Sequence, residues 1–184
     1  TEKPEEKDND EASIRKKFAS YYSRILFFAF CTEEKLMSLQ EIIDLIETDE
    51  ESKRIAGNLE LNNFILKLLR SNMQHYVLSK LEYKIQNINH LANDAGVEPV
   101  ERASRALKKF TRISESEIVT PEIITDKIIN GLPENAIDTH TMLLDIASKQ
   151  GEFVYAVYKK TYKKFGKAVA NNFYSIPTSK TAYE

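Results

Sequence analysis

Val77-Leu-Ser-Lys-Leu81-Glu-Tyr-Lys-Ile85-Gln-Asn-Ile88-Asn-His-Leu91 sets apolar side chains at 77, 81, 85, 88 and 91, with charged and amide residues between them. A repeat of three and four residues is one face of an α-helix; a half-buried strand would alternate every second residue. This helix should stop near Asp94-Ala-Gly96, where glycine allows the backbone to leave the helical region. The same spacing recurs upstream. Ile14, Phe18, Tyr21, Ile25 and Phe28 stripe a helix from Ala12 to Phe30. Thr32 can cap a second helix, with Glu33 and Glu34 in its first turn and Leu36, Leu39, Ile42, Ile43 and Ile46 facing inward. A short acidic stretch and Gly57 then break the pattern, and Leu61 to Leu69 gives a third apolar helix. Stripes of this kind are buried by packing against one another, as in a helical bundle.

Composition agrees. Five Gly and five Pro in 184 residues, with 29% charged residues, favour long helices over a turn-rich all-β fold. The 42% apolar content is enough for a core. The lone cysteine, Cys31, lies in the run Ile25-Leu-Phe-Phe-Ala-Phe-Cys31, so no internal disulfide forms and a reducing compartment is expected. No apolar run approaches the roughly 20 residues needed to cross a bilayer, and no signal peptide opens the sequence; a cytoplasmic location without membrane contact is the expectation. Residues 1–11 carry six acids against two lysines and read as a disordered, solvated tail. His75, His90 and His140 lie far apart in sequence and share no ligand spacing with Cys31, so no metal site is expected.

Pro99 fits the first turn of a further helix with Val100, Ala103, Leu107 and Phe110 inward. Its outer face then collects Arg102, Arg105, Lys108, Lys109 and Arg112. Ser114-Glu-Ser-Glu-Ile-Val-Thr-Pro121 reads as an extended segment with Thr120 as cap and Pro121 as first residue of a helix ending at Gly131. The chain then changes character. Thr141-Met-Leu-Leu-Asp-Ile-Ala147 is a short apolar run, followed by polar residues, Gly151 and an amphipathic helix from Glu152 to about Phe165, which reads as strand, loop, helix. Residues 168–176 read as a second strand or an irregular return, and Thr178 as the cap of a helix cut short at Glu184. The expected fold class is therefore mainly α: a helical bundle over 12–112, then a short strand–loop–helix element within 113–184.

A strand ending in Asp, a glycine loop and a helix N-terminus together form the generic turn for a nucleotide-type cofactor. Here the line Leu144-Asp145-Ile-Ala147-Ser-Lys-Gln-Gly151-Glu-Phe153 resembles the cofactor motif of adenine-specific DNA methyltransferases, an Asp-Pro-Ala-Cys-Gly-Ser-Gly-x-Phe string. Asp145, Ala147, Gly151 and Phe153 match in register, while Ile146, Ser148, Lys149 and Gln150 depart from it. Those enzymes also carry a Phe/Tyr-Thr-Pro segment before a helix upstream, and Thr120-Pro121 stands 24 positions before Asp145. The resemblance implies that Thr120 and Pro121 border the methionine end of S-adenosylmethionine and that Asp145 and Gly151 shape its pocket. The strings Arg24-Ile-Leu-Phe-Phe-Ala-Phe-Cys-Thr32, Ser38-Leu-Gln-Glu-Ile-Ile43 and Tyr83-Lys-Ile-Gln-Asn-Ile-Asn89 resemble the helical region beyond the motor in restriction subunits of type I-like systems and fused helicase–methyltransferase proteins. Together the two likenesses imply an incomplete piece of a restriction-modification enzyme, whose parent would use ATP and S-adenosylmethionine and act on DNA with other subunits or domains.

Catalysis is not expected in these residues. Methyl transfer in that family needs Asn/Asp-Pro-Pro-Tyr/Phe to hold an extruded base, and no Pro-Pro pair occurs here. None of the five glycines lies in a Gly-x-x-x-x-Gly-Lys-Ser/Thr phosphate loop. Glu82-Tyr-Lys84 imitates a nuclease pair but sits in a helix, where exposed charges are the expectation. DNA contacts are expected from Arg102, Arg105, Lys108, Lys109 and Arg112, and from Lys159, Lys160 and Lys163 in the lysine- and tyrosine-rich stretch 155–165. The competing reading is a free-standing helical module that binds proteins, in which the basic faces are merely solvated.

Overall fold

The computed structural model describes residue 19 and residues 21–110 and 119–184. The acidic tail 1–11, the start of the first expected helix, Arg112 and residues 114–118 of the extended segment lie outside the described residues. The chain divides into two units, Thr1–Ser114 and Glu115–Glu184. The fold is mainly helical with one short parallel sheet in the second unit.

In the first unit α1 covers 21–31. It is followed by α2 (Leu39–Thr48), α3 (Glu50–Asn58), α4 (Asn63–Asn72), α5 (His75–Ala92) and α6 (Pro99–Leu107). Ile25 and Phe28 from α1, Leu39, Ile42 and Ile43 from α2, Leu66 from α4, and Leu81 and Ile85 from α5 are fully buried together with Leu59. Phe110 closes one side of this core edge-on to Phe27, ring centres 5.5 Å apart, and to Phe30.

Three boundaries differ from expectation. Thr32 caps no helix: its hydroxyl accepts from the Glu34 amide inside an irregular connection. The cap of α2 is Ser38, whose hydroxyl accepts from Glu41 N while the Glu41 carboxylate accepts from the Ser38 amide, a reciprocal capping box. The acidic stretch is not a break but a joint. Asp49 closes α2 and caps α3 by accepting from Ser52 N at 2.7 Å, a bond that holds its carboxyl below the usual carboxylate range. Gly57 lies within α3, which runs one residue further to Asn58 and is closed by the turn at Glu60. Glu60 there takes a left-handed φ of 54° and Leu61 N donates back to Ala56 O, the Schellman arrangement. Arg24 holds Glu60 at 2.9 Å.

Helix α5 carries two stripes. Leu81, Ile85 and Ile88 face the core, and Glu82, Gln86, Asn89 and Asn93 run beside them. The polar stripe binds the 32–38 connection and the start of α2. Glu82 accepts from Leu39 N, and Gln86 donates to Met37 O at 2.8 Å. Asn89, 3% exposed, accepts from Leu36 N and donates to both Ala29 O and Glu34 O. Asn93 donates to Thr32 O. Glu82 is thus half-buried and committed to the backbone, not an exposed helix charge as its sequence context implied.

In α6 the buried positions are Ser104 and Ala106, whereas Val100, Ala103 and Leu107 are half-buried. The inward face is rotated from the expected one. Arg102 is drawn in with it.

The second unit holds α7 (Glu122–Asn130), β1 (Leu143–Ser148), α8 (Glu152–Phe165), a 3-10 turn (Gly166–Asn172), β2 (Phe173–Pro177) and α9 (Lys180–Tyr183). β1 and β2 pair in parallel across the α8 crossover, with Leu143 beside Phe173, Leu144 beside Tyr174 and Asp145 beside Ser175. Ile129, Ile137, Ala156, Val157 and Val169 form its core, with Leu143, Phe153 and Phe173 packed on them. α9 is capped by Ser179, not Thr178. Pro121 is the cap position of α7 with extended ψ 139°, so Glu122 is the first helical residue and Thr120 lies outside.

Candidate cofactor turn and basic surfaces

The strand does not end at Asp145. Its pairing with β2 resumes at Ser148 after an irregularity, so Asp145 sits inside β1 and the loop proper is Lys149-Gln150-Gly151. The Asp145 Oδ1 accepts from Ala147 N at 3.1 Å. Its Oδ2 is buried and has no hydrogen-bond partner among the described residues. A buried carboxylate oxygen without a donor costs several kcal/mol unless something polar reaches it.

Gly151 is the cap residue of α8 with φ 71° and ψ 23°, the left-handed region that side chains resist. Gly166 ends the same helix at φ 60°, ψ −139°, a conformation nearly confined to glycine. A Cβ at either position would meet open space. The cost of Gly→Ala is therefore conformational alone. Gly151→Ala should destabilise the second unit by about 1–2 kcal/mol and Gly166→Ala by about 1–3 kcal/mol, read from amide exchange in α8. Equal stability of both variants with the parent would show that the two turns relax without strain.

Glu152, the first residue of α8, is the side chain the sequence reading passed over. Its Oε1 accepts from Thr120 N at 3.3 Å and its Oε2 from Gln150 N at 3.0 Å. One carboxylate thereby ties the Thr120-Pro121 segment to the loop after β1. An acid directly after a helix-capping glycine was the available signal. Phe153 packs into the core of the unit, Pro121 and Ala147 are exposed, and Thr120 is half-buried.

The basic residues divide into committed and uncommitted ones. Arg102 donates to Ala92 O, the end of α5, and Arg105 pairs with Glu101 at 2.9 Å. Lys160 donates to Ile129 O and Leu132 O and so caps the C-terminal end of α7. Lys159 bonds both Glu122 and Asp126, at 2.9 and 2.7 Å. Partial burial pulls its ammonium down, but the bonds to Asp126 and Glu122 and their charges outweigh this and hold it above the ordinary lysine range. Lys109 and Lys163 are exposed, and neither side chain enters an ion pair among the described residues. Lys108 is exposed too. Arg112 lies outside the described residues.

Tyr158 and Tyr162 stack along α8 with ring centres 4.6 Å apart. Asp138 organises the turn before β1: it accepts from His140 N, Thr141 N and the Thr141 hydroxyl, which lowers its carboxyl below the usual range. Among the described residues no three His, Cys, Asp or Glu side chains are grouped to hold a metal ion, and no helix is long and apolar enough to cross a membrane. Protein-family models, curated proteins and solved structures all fail to give a match to this chain.

Proposed function

We propose that the chain is a non-catalytic, mainly helical part of a cytoplasmic DNA restriction-modification protein, akin to a type I restriction subunit. In this reading it supplies DNA or subunit contacts beside an adenine methyltransferase domain that uses S-adenosylmethionine. The observation that carries the reading is the Glu152 carboxylate. It joins the two sequence elements that resemble the methyltransferase pattern, Thr120-Pro121 and the Gly151 loop, although Thr120 lies 32 residues before Glu152. The unpaired Asp145 Oδ2 adds an acceptor that a ligand hydroxyl or amine would satisfy.

The fit to S-adenosylmethionine is partial. Asp145 and Gly151 supply an acceptor and a left-handed turn, but Lys149 and Gln150 carry side chains where glycines would let the ligand approach the backbone. In this reading the segment itself holds no cofactor, and S-adenosylmethionine and ATP belong to the parent enzyme.

Salt-dependent DNA binding tests the reading. Fluorescence anisotropy with a duplex should show affinity falling steeply as salt rises, and Lys109→Ala and Lys163→Ala should each flatten the logarithmic salt slope by about one unit. Arg102→Ala should cost stability instead, since its guanidinium serves the Ala92 carbonyl. Absence of binding at low salt overturns the DNA role. It would favour the second reading, a protein-binding helical module, for which Phe64, Leu68, Tyr76 and Tyr83 stand 53–73% exposed on α4 and α5.

A further inference from the structure

A parallel strand pair joined by a helical crossover ordinarily has both faces covered. Here α8 and the neighbouring core cover one. Leu143 and Phe173 point into that core, and the alternate positions point away from it. Met142, Leu144, Ile146, Tyr174 and Ile176 are 74%, 60%, 72%, 53% and 52% exposed. Leu144 and Tyr174 are direct neighbours across the ladder, so the five form one contiguous apolar surface. Scattered exposed hydrophobics mean little, but a contiguous patch on a regular element marks an interface.

We infer that this outer sheet face packs against the same face of a second copy of the chain. Three observations select that occupant. The five outward residues, Met142, Leu144, Ile146, Tyr174 and Ile176, carry no charge at neutral pH, and Asp145 lies in the inward row, so a two-fold axis through the patch brings no like charges together. The surface is a sheet face, and two such faces interdigitate at a spacing of about 10 Å without any rearrangement of either partner. Five half- to three-quarter-exposed large side chains on each copy would remove on the order of 1,200 Å² in total, the lower end of what specific interfaces bury. The dimer expected is accordingly one of modest affinity, and it does not depend on the functional reading above.

Sedimentation velocity on the full chain, from low micromolar to submillimolar concentration, tests the inference. A reversible monomer–dimer equilibrium is expected. Ile146→Glu should weaken it at least about tenfold, a loss of roughly 1.4 kcal/mol, and the milder Ile176→Thr should weaken it measurably. Both positions are exposed, so circular dichroism should show an unchanged fold. Ile128→Glu, on the exposed side of α7 away from the sheet rows, should leave the equilibrium as it was. A monomer at every concentration overturns the inference and leaves the face to a helix of another protein. A dimer that survives Ile146→Glu, or one that Ile128→Glu abolishes equally, overturns it as well.

Discussion

Asn89→Leu is expected to lower the unfolding free energy of the first unit by about 2–5 kcal/mol, from two buried backbone groups and one partly buried one losing their partners at about 1–3 kcal/mol each, partly offset by the added apolar side chain. The amide of Asn89 serves Leu36 N, Ala29 O and Glu34 O at 3.0, 3.1 and 2.9 Å. Those groups belong to the end of α1 and to the connection after it, which forms no ladder of its own to fall back on. Asn89→Asp should be at least as damaging, because it keeps the acceptor for Leu36 but turns a carboxylate oxygen on two carbonyls. Asn93→Ala, at an exposed position, should cost less than about 1 kcal/mol. With two units in the chain a single denaturation curve would mix their transitions, so exchange of the α5 amides is the measurement to use. A loss below about 1 kcal/mol for Asn89→Leu would mean that water takes over all three groups.

Phe28→Ala should cost a similar amount, about 3–5 kcal/mol, by another route. Phe28 has no exposed surface and is the largest of the fully buried side chains. Truncation removes its apolar contacts and leaves a cavity that Ile25, Leu39 and Ile85, packed in the same core, can fill only by moving out of their own positions. Phe64→Ala, at 73% exposure on α4, makes the control and should fall within about 0.5 kcal/mol of the parent. The same exchange readout applies. A cost for Phe28→Ala as small as that of Phe64→Ala would show that the core collapses around the gap.

The helical stripes were legible because a buried face repeats along one segment and needs no knowledge of its partner: Leu81, Ile85 and Ile88 are buried where the spacing puts them. The α2 cap was also written in the sequence. Ser38 has a Glu three residues on, whereas Thr32 has Lys35, and only the first pair can close a capping box. Gly57 misled for a physical reason. Glycine in a helix costs about 1 kcal/mol, which the burial of Ile55 and Ala56 on the same helix outweighs. The roles of Asn89 and Glu82 were illegible in principle, since their partners are backbone groups 43 to 60 residues away.

The candidate site divides the same way. The Asp145 and Gly151 register could be read from the string, but the strand's continuation past Asp145 depends on its pairing with β2. Arg105 lies one turn beyond Glu101, and that pairing was visible. The pairing of Lys159 with Glu122 and Asp126, 37 and 33 residues away, was not.

That pairing changes how α8 looks to a charged neighbour. Glu152 lies in its first turn, Lys159 is neutralised by two carboxylates at its middle, and Lys163 and Lys164 remain in its last turn. Acid at the N-terminal end and base at the C-terminal end oppose the helix macrodipole. At a distance the helix is therefore not an even line of positive charge: with Lys159 paired, the charge that remains lies in its C-terminal half, at Lys160, Lys163 and Lys164. A polyanion would accordingly be drawn to that end of the helix and not along its whole length.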